Sequence, residues 1–408
     1  MFQEFKVDAI WSLNQDFSDY SSGSLNYAPQ RRCTVFVIPG FINEVQHFSN
    51  DVIKHKLFGL TKNEEYIIAD GYSIGSEFNK SGFNSEKIQL FGFDIQNFNP
   101  GLAFNPNSVI FAVTDLDYWL PNQSLKGYEK TVGVVAEKAS SKPIGNLVFK
   151  NTTYELQIGY GSQYQSLKYS HFHELKLNTY LVLKSEHKLD RNGSIELINK
   201  ITSLYEIVCK PASLRLVQFI DDEHEKNVFI SPDHRVFLDG EYNPNSFFLE
   251  YKDIEYDFLS MIKKLVAASP ELNMLIEDYL LTIHFHSVAE NNFINYMQGI
   301  DSFYRKQNLS LQKKLKQFLK ELPDSYRKIL QDNINGFKEW TQLVVDTRVY
   351  ITHGDREDRA IKDPYRLVKL SHLFRFLIRV FILQQLGFNI DIPKLRNKLQ
   401  SVLDEQYI

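Results

Sequence analysis

At 408 residues and 47.7 kDa the chain exceeds the length of most single hydrophobic cores, which predicts two or three domains. Hydrophobic residues at 43%, charged residues at 24% and aromatics at 14% exclude wholesale disorder. The formal charge of −4, from 46 basic and 50 acidic side chains, excludes a uniformly basic coat for nucleic acid and leaves room only for a local basic face. From the amino terminus, an early strand carrying Trp11 is followed by short β-rich runs between turn signals. These are RCTVFVI (32–38) before Pro39-Gly40, EKIQLFGF (86–93), NSVIFAVT (107–114), TTYELQIGY (152–160) and LKLNTYLVLKS (175–185). Several alternate apolar and polar residues, which predicts antiparallel sheet with one solvated face, arranged as a sandwich or a partly open barrel. Residues 194–210 break the alternation. Ile195, Ile198, Ile201, Leu204 and Val208 follow a helical period after a Gly-Ser start, predicting one helix packed on or beside the sheets.

Glycine and proline then thin out, from 15 and 9 in residues 1–254 to 4 of each in residues 255–408. The boundary is placed near 252, dividing a sandwich-like β-rich region (1–252) from an all-α bundle (253–408), an α+β multidomain chain. Ser269-Pro270-Glu271 is a helix start: a hydroxyl to cap free amides, a proline at the tolerated first position and an acid complementing the dipole. Helical segments follow with short breaks: ENNFINYMQGIDSFYRK, LQKKLKQFLKEL, PDSYRKILQD, GFKEWTQLVVDTRVYITH and DPYRLVKLSHLFRFLIRVFILQQLG, the last stopping at Gly387. With 22 basic and 19 acidic residues the part from 255 onward stands at +3 and the part before it at −7, the sign expected if the bundle meets RNA.

Two cysteines, Cys33 and Cys209, make neither a disulfide framework nor a CxxC pair, which argues against structural zinc and thiol redox chemistry and suits a reducing compartment. The amino terminus carries Glu4 and Lys6 where a secretory signal needs an apolar core, and the apolar stretch Leu373 to Leu386 is interrupted by Arg375 and Arg379. A cytoplasmic protein without a membrane segment is expected.

The segment Asp346-Thr347-Arg348-Val349-Tyr350-Ile351-Thr352-His353-Gly354-Asp355 places Arg348 and His353 in an R-x4-H spacing near the end of a long helix. The spacing alone is weak, since such pairs arise by chance on solvated helix ends. Its setting adds weight: an all-helical domain, a helix end marked by Gly354, and an earlier helix carrying Glu290, Phe293 and Asp301-Ser302-Phe303-Tyr304-Arg305. Together these features resemble the HEPN ribonuclease superfamily, specifically the ApeA-like HEPN proteins of bacterial anti-phage defence. The C-terminal resemblance covers about 150 residues, with RVYITHG as its sharpest element. Upstream, the strand with Trp11 and the segment DLDYWLP (115–121) look like the Trp-containing β-rich domain that precedes the nuclease in such proteins. One departure is Val349, where many active HEPN motifs carry a polar residue directly after the arginine.

The resemblance implies a metal-independent endoribonuclease with no cofactor, acting on RNA with tRNA as the substrate expected from the family, and held as a homodimer in which two motifs face one cleft. It also implies that the N-terminal region is a sensor or regulatory domain, the place for a phage-derived activator. The chemistry can be argued from the residues. RNA brings its own nucleophile, the 2′-hydroxyl, so cleavage needs a base for that proton, an acid for the departing 5′-oxygen and positive charge at phosphorus. Imidazole serves in either protonation state near neutrality, and a guanidinium can grip two phosphate oxygens. One histidine per chain is one proton carrier short, which the dimer would supply. Arg348 and His353 are therefore the candidate catalytic pair.

Lys313, Lys314, Lys316 and Lys320 form a basic run on one predicted helix that could track a phosphate backbone or be a solvated face. His171/His173 and His284/His286 are H-x-H pairs; only the first, in a strand, could turn both rings to one side, and without a third ligand no metal site is expected. No phosphate-cradling glycine motif is present, and Trp11 and Trp119 read as core aromatics. Two rival readings stay open: a catalytically silent HEPN module that binds RNA or a protein, and a ligand-binding β-sandwich whose helical tail only dimerises.

Overall fold

The computed structural model describes residues 5–27, 34–37, 55–78, 84–120, 126–127, 134–135, 141–166, 173–230, 247–284, 288–355 and 357–404. The chain divides into two compact units, residues 1–198 with 212–244 and residues 199–211 with 245–408.

In the first unit the strands are β1 (Phe5–Ser12), β2 (Ser21–Tyr27), β3 (Thr34–Val37), β4 (His55–Thr61), β5 (Tyr66–Phe78), β6 (Asn84–Gln96) and β7 (Ser108–Val113). A short helix α1 (Leu116–Trp119) and a small β8–β9 pair (Lys126–Gly127, Val134–Val135) follow. Then come β10 (Lys142–Phe149), β11 (Thr152–Ser166), β12 (His173–Lys184), helix α2 (Arg191–Val208), β13 (Leu214–Ile220) and β14 (Glu225–Ile230). Twelve of these strands form one antiparallel sheet in the order β10-β11-β12-β7-β13-β14-β6-β3-β2-β1-β4-β5, and β5 also pairs with β6. That last pairing closes β1 to β6 into a six-stranded barrel, so of the sandwich or partly open barrel expected, the strands build a barrel with a sheet extending from it. The long β6 makes the fork: on one edge residues 86–89 pair with β3 and residues 92–96 pair with β14.

The barrel follows from period-two burial. Along β4, Leu57, Gly59 and Thr61 turn inward while the residues between them stay wetter. The interior is filled by Trp11, Leu25, Tyr27, Val35, Leu57, Ile67, Ile88 and Phe93, with Phe229 entering from β14 and stacked 4.5 Å from Phe93. Trp11 is fully buried, and a Cβ on Gly59 would stand 2.9 Å from its ring, so the indole sets a glycine opposite it. Register shifts in the β5–β6 pair at Asp70/Gly71 and Ser73/Gly75 bend the ladder, as closure of a small barrel requires. Gly75 takes φ 137°, a backbone state that only glycine holds without strain. Trp119 is buried as well, so both tryptophans are core.

The second unit holds the later part of α2 and α3 (Tyr251–Ile254), α4 (Phe258–Val266), α5 (Pro270–His284), α6 (Ala289–Phe303), α7 (Leu311–Glu321), α8 (Asp324–Asn333), α9 (Phe337–His353), α10 (Pro364–Gln385) and α11 (Pro393–Asp404). The helix expected beside the sheets is thus shared: its residues to Ile198 group with the strands, and those from Asn199 group with the bundle. The predicted caps are present. Ser269 Oγ accepts from the Leu272 amide at 3.2 Å, and α10 ends as Gly387 at φ 88° while the Phe388 amide reaches back to the Leu383 carbonyl. Helix α10 is buried nearly all round, and rings from its neighbours gather on it: Trp340 stacks 5.5 Å from Phe374, and Phe303 and Phe318 meet Phe381.

One of its cationic residues, Arg379, joins it to the end of α2. The guanidinium donates to the carbonyls of Ile207 (2.5 Å), Cys209 (2.9 Å) and Glu206 (3.3 Å) at the end of α2 and lies 3.9 Å from the Phe248 ring. Four carbonyls at a helix end lack intrahelical partners, and a cation there also meets the favourable end of the helix dipole. Burial draws the Arg379 pKa below the ordinary arginine value. No helix among the described residues is long and apolar enough to cross a membrane.

Candidate functional site

Helix α9 begins after Gly336, in the left-handed conformation at φ 66°, and stops at Gly354, φ 75°, whose amide donates to the Tyr350 carbonyl at 2.8 Å. Its inward face carries Trp340, Val344, Asp346 and Thr347, all buried. Thr347 Oγ donates to the Leu343 carbonyl and accepts the Ile361 amide at 3.0 Å, so the segment after the helix is tied back to the middle of the R-x4-H stretch. Asp346 accepts from Gln342 Nε2 at 2.8 Å. Asp363 then caps α10 by accepting from the Tyr365 amide at 2.9 Å, ahead of Pro364.

Arg348 is half-buried and His353 exposed, so neither is consumed by the core. Among the described residues neither side chain is recorded in a hydrogen bond or ion pair. The helix stays regular through His353, and Thr352 Oγ secures its last turn by donating to the Arg348 carbonyl at 2.9 Å. Five residues of regular helix separate the two side chains by about 140° around the axis and about 7.5 Å along it. On a regular helix the two side chains therefore leave α9 on different sides.

The lysine run divides. Lys313, Lys316 and Lys320 are exposed and fall within about 60° of one another on α7, a helix that packs on α9. Lys314 is 6% exposed, and its ammonium binds the Asp301 carboxylate at 2.7 Å and the Asp301 carbonyl at 3.0 Å. It leaves the four-lysine set for a simple reason: one residue on from Lys313 the helix has turned by about 100°, toward the core. His284 is buried, with Nε2 2.6 Å from Glu206 Oε1, and His171 and His286 lie outside the described residues, as does the His173 side chain. Cys209 is buried, and Cys33 lies outside the described residues. No group of three or more His, Cys, Asp or Glu side chains placed to hold a metal occurs among the described residues.

What the sequence reading missed is a basic cavity in the strand-rich unit, formed by residues near 104, 188–191, 219 and 226. Nothing in their spacing signals it, because three separate chain segments converge there.

Neither the comparison with curated proteins nor that with solved structures returns a match. A family model does match: Apea-like HEPN, over residues 249–392. The matched stretch starts just before α3, ends just before α11 and contains the whole of α9 with Arg348, His353 and the Gly354 cap. HEPN domains are nuclease-type modules. The resemblance read from the sequence is thus met over residues 249–392, which match the Apea-like HEPN family model.

Proposed function

We propose that the chain is a metal-independent endoribonuclease of an anti-phage defence system, using Arg348 and His353 of a homodimer to cleave RNA, with tRNA as substrate. The observation that carries this reading is the R-x4-H stretch itself. It lies inside the matched HEPN domain, on a helix end stopped by Gly354, with its arginine and histidine accessible and uncommitted to the fold.

In the proposed reaction a histidine removes the proton of the 2′-hydroxyl, which attacks the adjacent phosphorus. The bond to the 5′-oxygen breaks as that oxygen takes a proton, leaving a 2′,3′-cyclic phosphate and a 5′-hydroxyl. Arg348 neutralises charge on the pentacoordinate phosphorus, where a planar fork of donors suits two equatorial oxygens. A single chain offers one histidine in the motif, and its Arg348 diverges from it by about 140°. Both facts favour a two-fold arrangement in which the histidines of two chains share base and acid roles. Lys313, Lys316 and Lys320 supply positive charge for the RNA backbone on the neighbouring helix. The strand-rich unit is assigned the sensing role, with a phage-derived activator as its partner.

The test is degradation of RNA by the purified chain against His353→Ala and Arg348→Ala variants shown to be folded by circular dichroism. Loss of acid–base catalysis should lower the rate by about 10² to 10⁴. A folded variant that cuts at the wild-type rate would remove the assignment. Val349 favours the second reading, a silent RNA- or protein-binding module, which predicts RNA retention without any cleavage.

A further inference from the structure

The strand-rich unit contains a cavity of about 440 Å³ whose lining includes Phe104, Lys188, Asp190, Arg191, Phe219 and Lys226. Ligand pockets of about 300 to 1,000 Å³ are typically apolar with a few convergent polar groups, and this one fits that description at the scale of one nucleotide rather than a strand. Its charge is unbalanced. Arg191 Nη2 and Lys226 Nζ share a single carboxylate, Asp94, at 2.8 Å and 3.9 Å. Asp190 accepts from the Gly193 amide at 2.6 Å and keeps its charge, so three cations stand against two carboxylates, and Lys188 is exposed with no hydrogen bond or ion pair among the described residues.

Burial draws the Lys226 pKa below the ordinary lysine value, and the nearby charges of Arg191 and Lys56 push the same way against Asp94. An ammonium in that position gains by meeting an anion. Beside it stands an aromatic surface: the Lys226 ammonium lies 5.2 Å from the centre of the half-buried Phe104 ring and 5.9 Å from that of Phe98, and the two rings are 5.2 Å apart. Cations next to an accessible ring are the pairing that a phosphate joined to a flat base requires.

We propose that this cavity binds a small phosphorylated nucleoside, its phosphate held by Lys188, Arg191 and Lys226 and its base laid against Phe104. The site is independent of the chemistry assigned to Arg348 and His353, and binding reads it without any activity assay.

The experiment is calorimetric titration of the full chain with the four ribonucleoside 5′-monophosphates, with inorganic phosphate and the free nucleosides as further probes. At least one monophosphate should bind saturably, one per chain, and more tightly than phosphate or its own nucleoside. Lys188→Gln should weaken that binding by about ten-fold or more, the loss of a charge-assisted hydrogen bond. Phe104→Ala should weaken it by about five-fold or more, the loss of stacking. Lys188 is exposed and supports no recorded contact, so its variant keeps the test valid if Phe104→Ala fails to fold. Absence of binding by all four monophosphates at millimolar concentration overturns the proposal. So does binding that Lys188→Gln leaves unchanged, which would locate the nucleotide elsewhere, and so does phosphate binding as tight as any nucleotide.

Discussion

Lys314 and Lys316 lie two residues apart on α7 and about 200° apart around it, and their surroundings differ accordingly. Lys314 is nearly buried against Asp301, whereas Lys316 stands in solvent with Lys313 and Lys320. Replacing Lys314 by Met keeps the apolar stem and deletes the ammonium. Asp301 remains half-exposed and can be rehydrated, so the cost should stay near 1 kcal/mol. Urea unfolding should register that loss, while the salt dependence of RNA binding stays put. Lys316→Ala should do the reverse, leaving stability within about 0.5 kcal/mol and reducing the slope of log K against log salt by about one. Equal effects of the two changes would contradict the division. The sequence shows four lysines in eight residues, but which of them face the core depends on where the neighbouring helices lie, and composition is blind to that.

Arg379 belongs to the scale of elements, because it joins α10 to the end of α2 inside the second unit. Replacing it by Met would remove the guanidinium donor from the Glu206 and Ile207 carbonyls in a partly buried site, while the Cys209 carbonyl keeps the Phe248 amide. A loss of about 3 kcal/mol is expected, read as a fall in the unfolding midpoint, with the largest loss of amide protection around residues 205–209. A change below 1 kcal/mol would show that water replaces the guanidinium. In the sequence this arginine looks like a mere interruption of an apolar run. Its use depends on a helix 170 residues earlier, which no local pattern carries. The same holds for the strands. Alternation in residues 86–93 and 107–114 was legible, and β6 and β7 are there; that β6 would pair with β5 on one edge and with both β3 and β14 on the other was not. Period two identifies a strand's faces but not its partners. The barrel closure, the shared helix α2 and the terminal helix α11 are the parts that needed coordinates.

For the whole molecule the account rests on a second copy of the chain. Mixing an Arg348→Ala chain with a His353→Ala chain gives a pair with one arginine and one histidine; if two motifs build one cleft, it should cut faster than either variant alone, which lacks one kind of residue altogether, and slower than the wild type, which holds both histidines. Sedimentation at the assay concentration should show a dimer. A fully active monomer would contradict the shared cleft and leave the second proton carrier to be found. The motif itself was legible because R-x4-H and the glycine after it are contiguous, and helix geometry supplies the rest. The cavity around Lys226 was not, because its residues come from three segments more than a hundred positions apart at the extremes.

The central claim, RNA cleavage through the 2′-hydroxyl by Arg348 and His353, is met most directly by analysing the ends left on RNA by the purified chain in the presence of EDTA. The account predicts undiminished cutting, 2′,3′-cyclic phosphate and 5′-hydroxyl ends, and a resistant phosphodiester wherever the scissile nucleotide lacks its 2′-hydroxyl. Strict dependence on an added divalent metal with 5′-phosphate ends would contradict it, since those ends require attack by a metal-activated water instead.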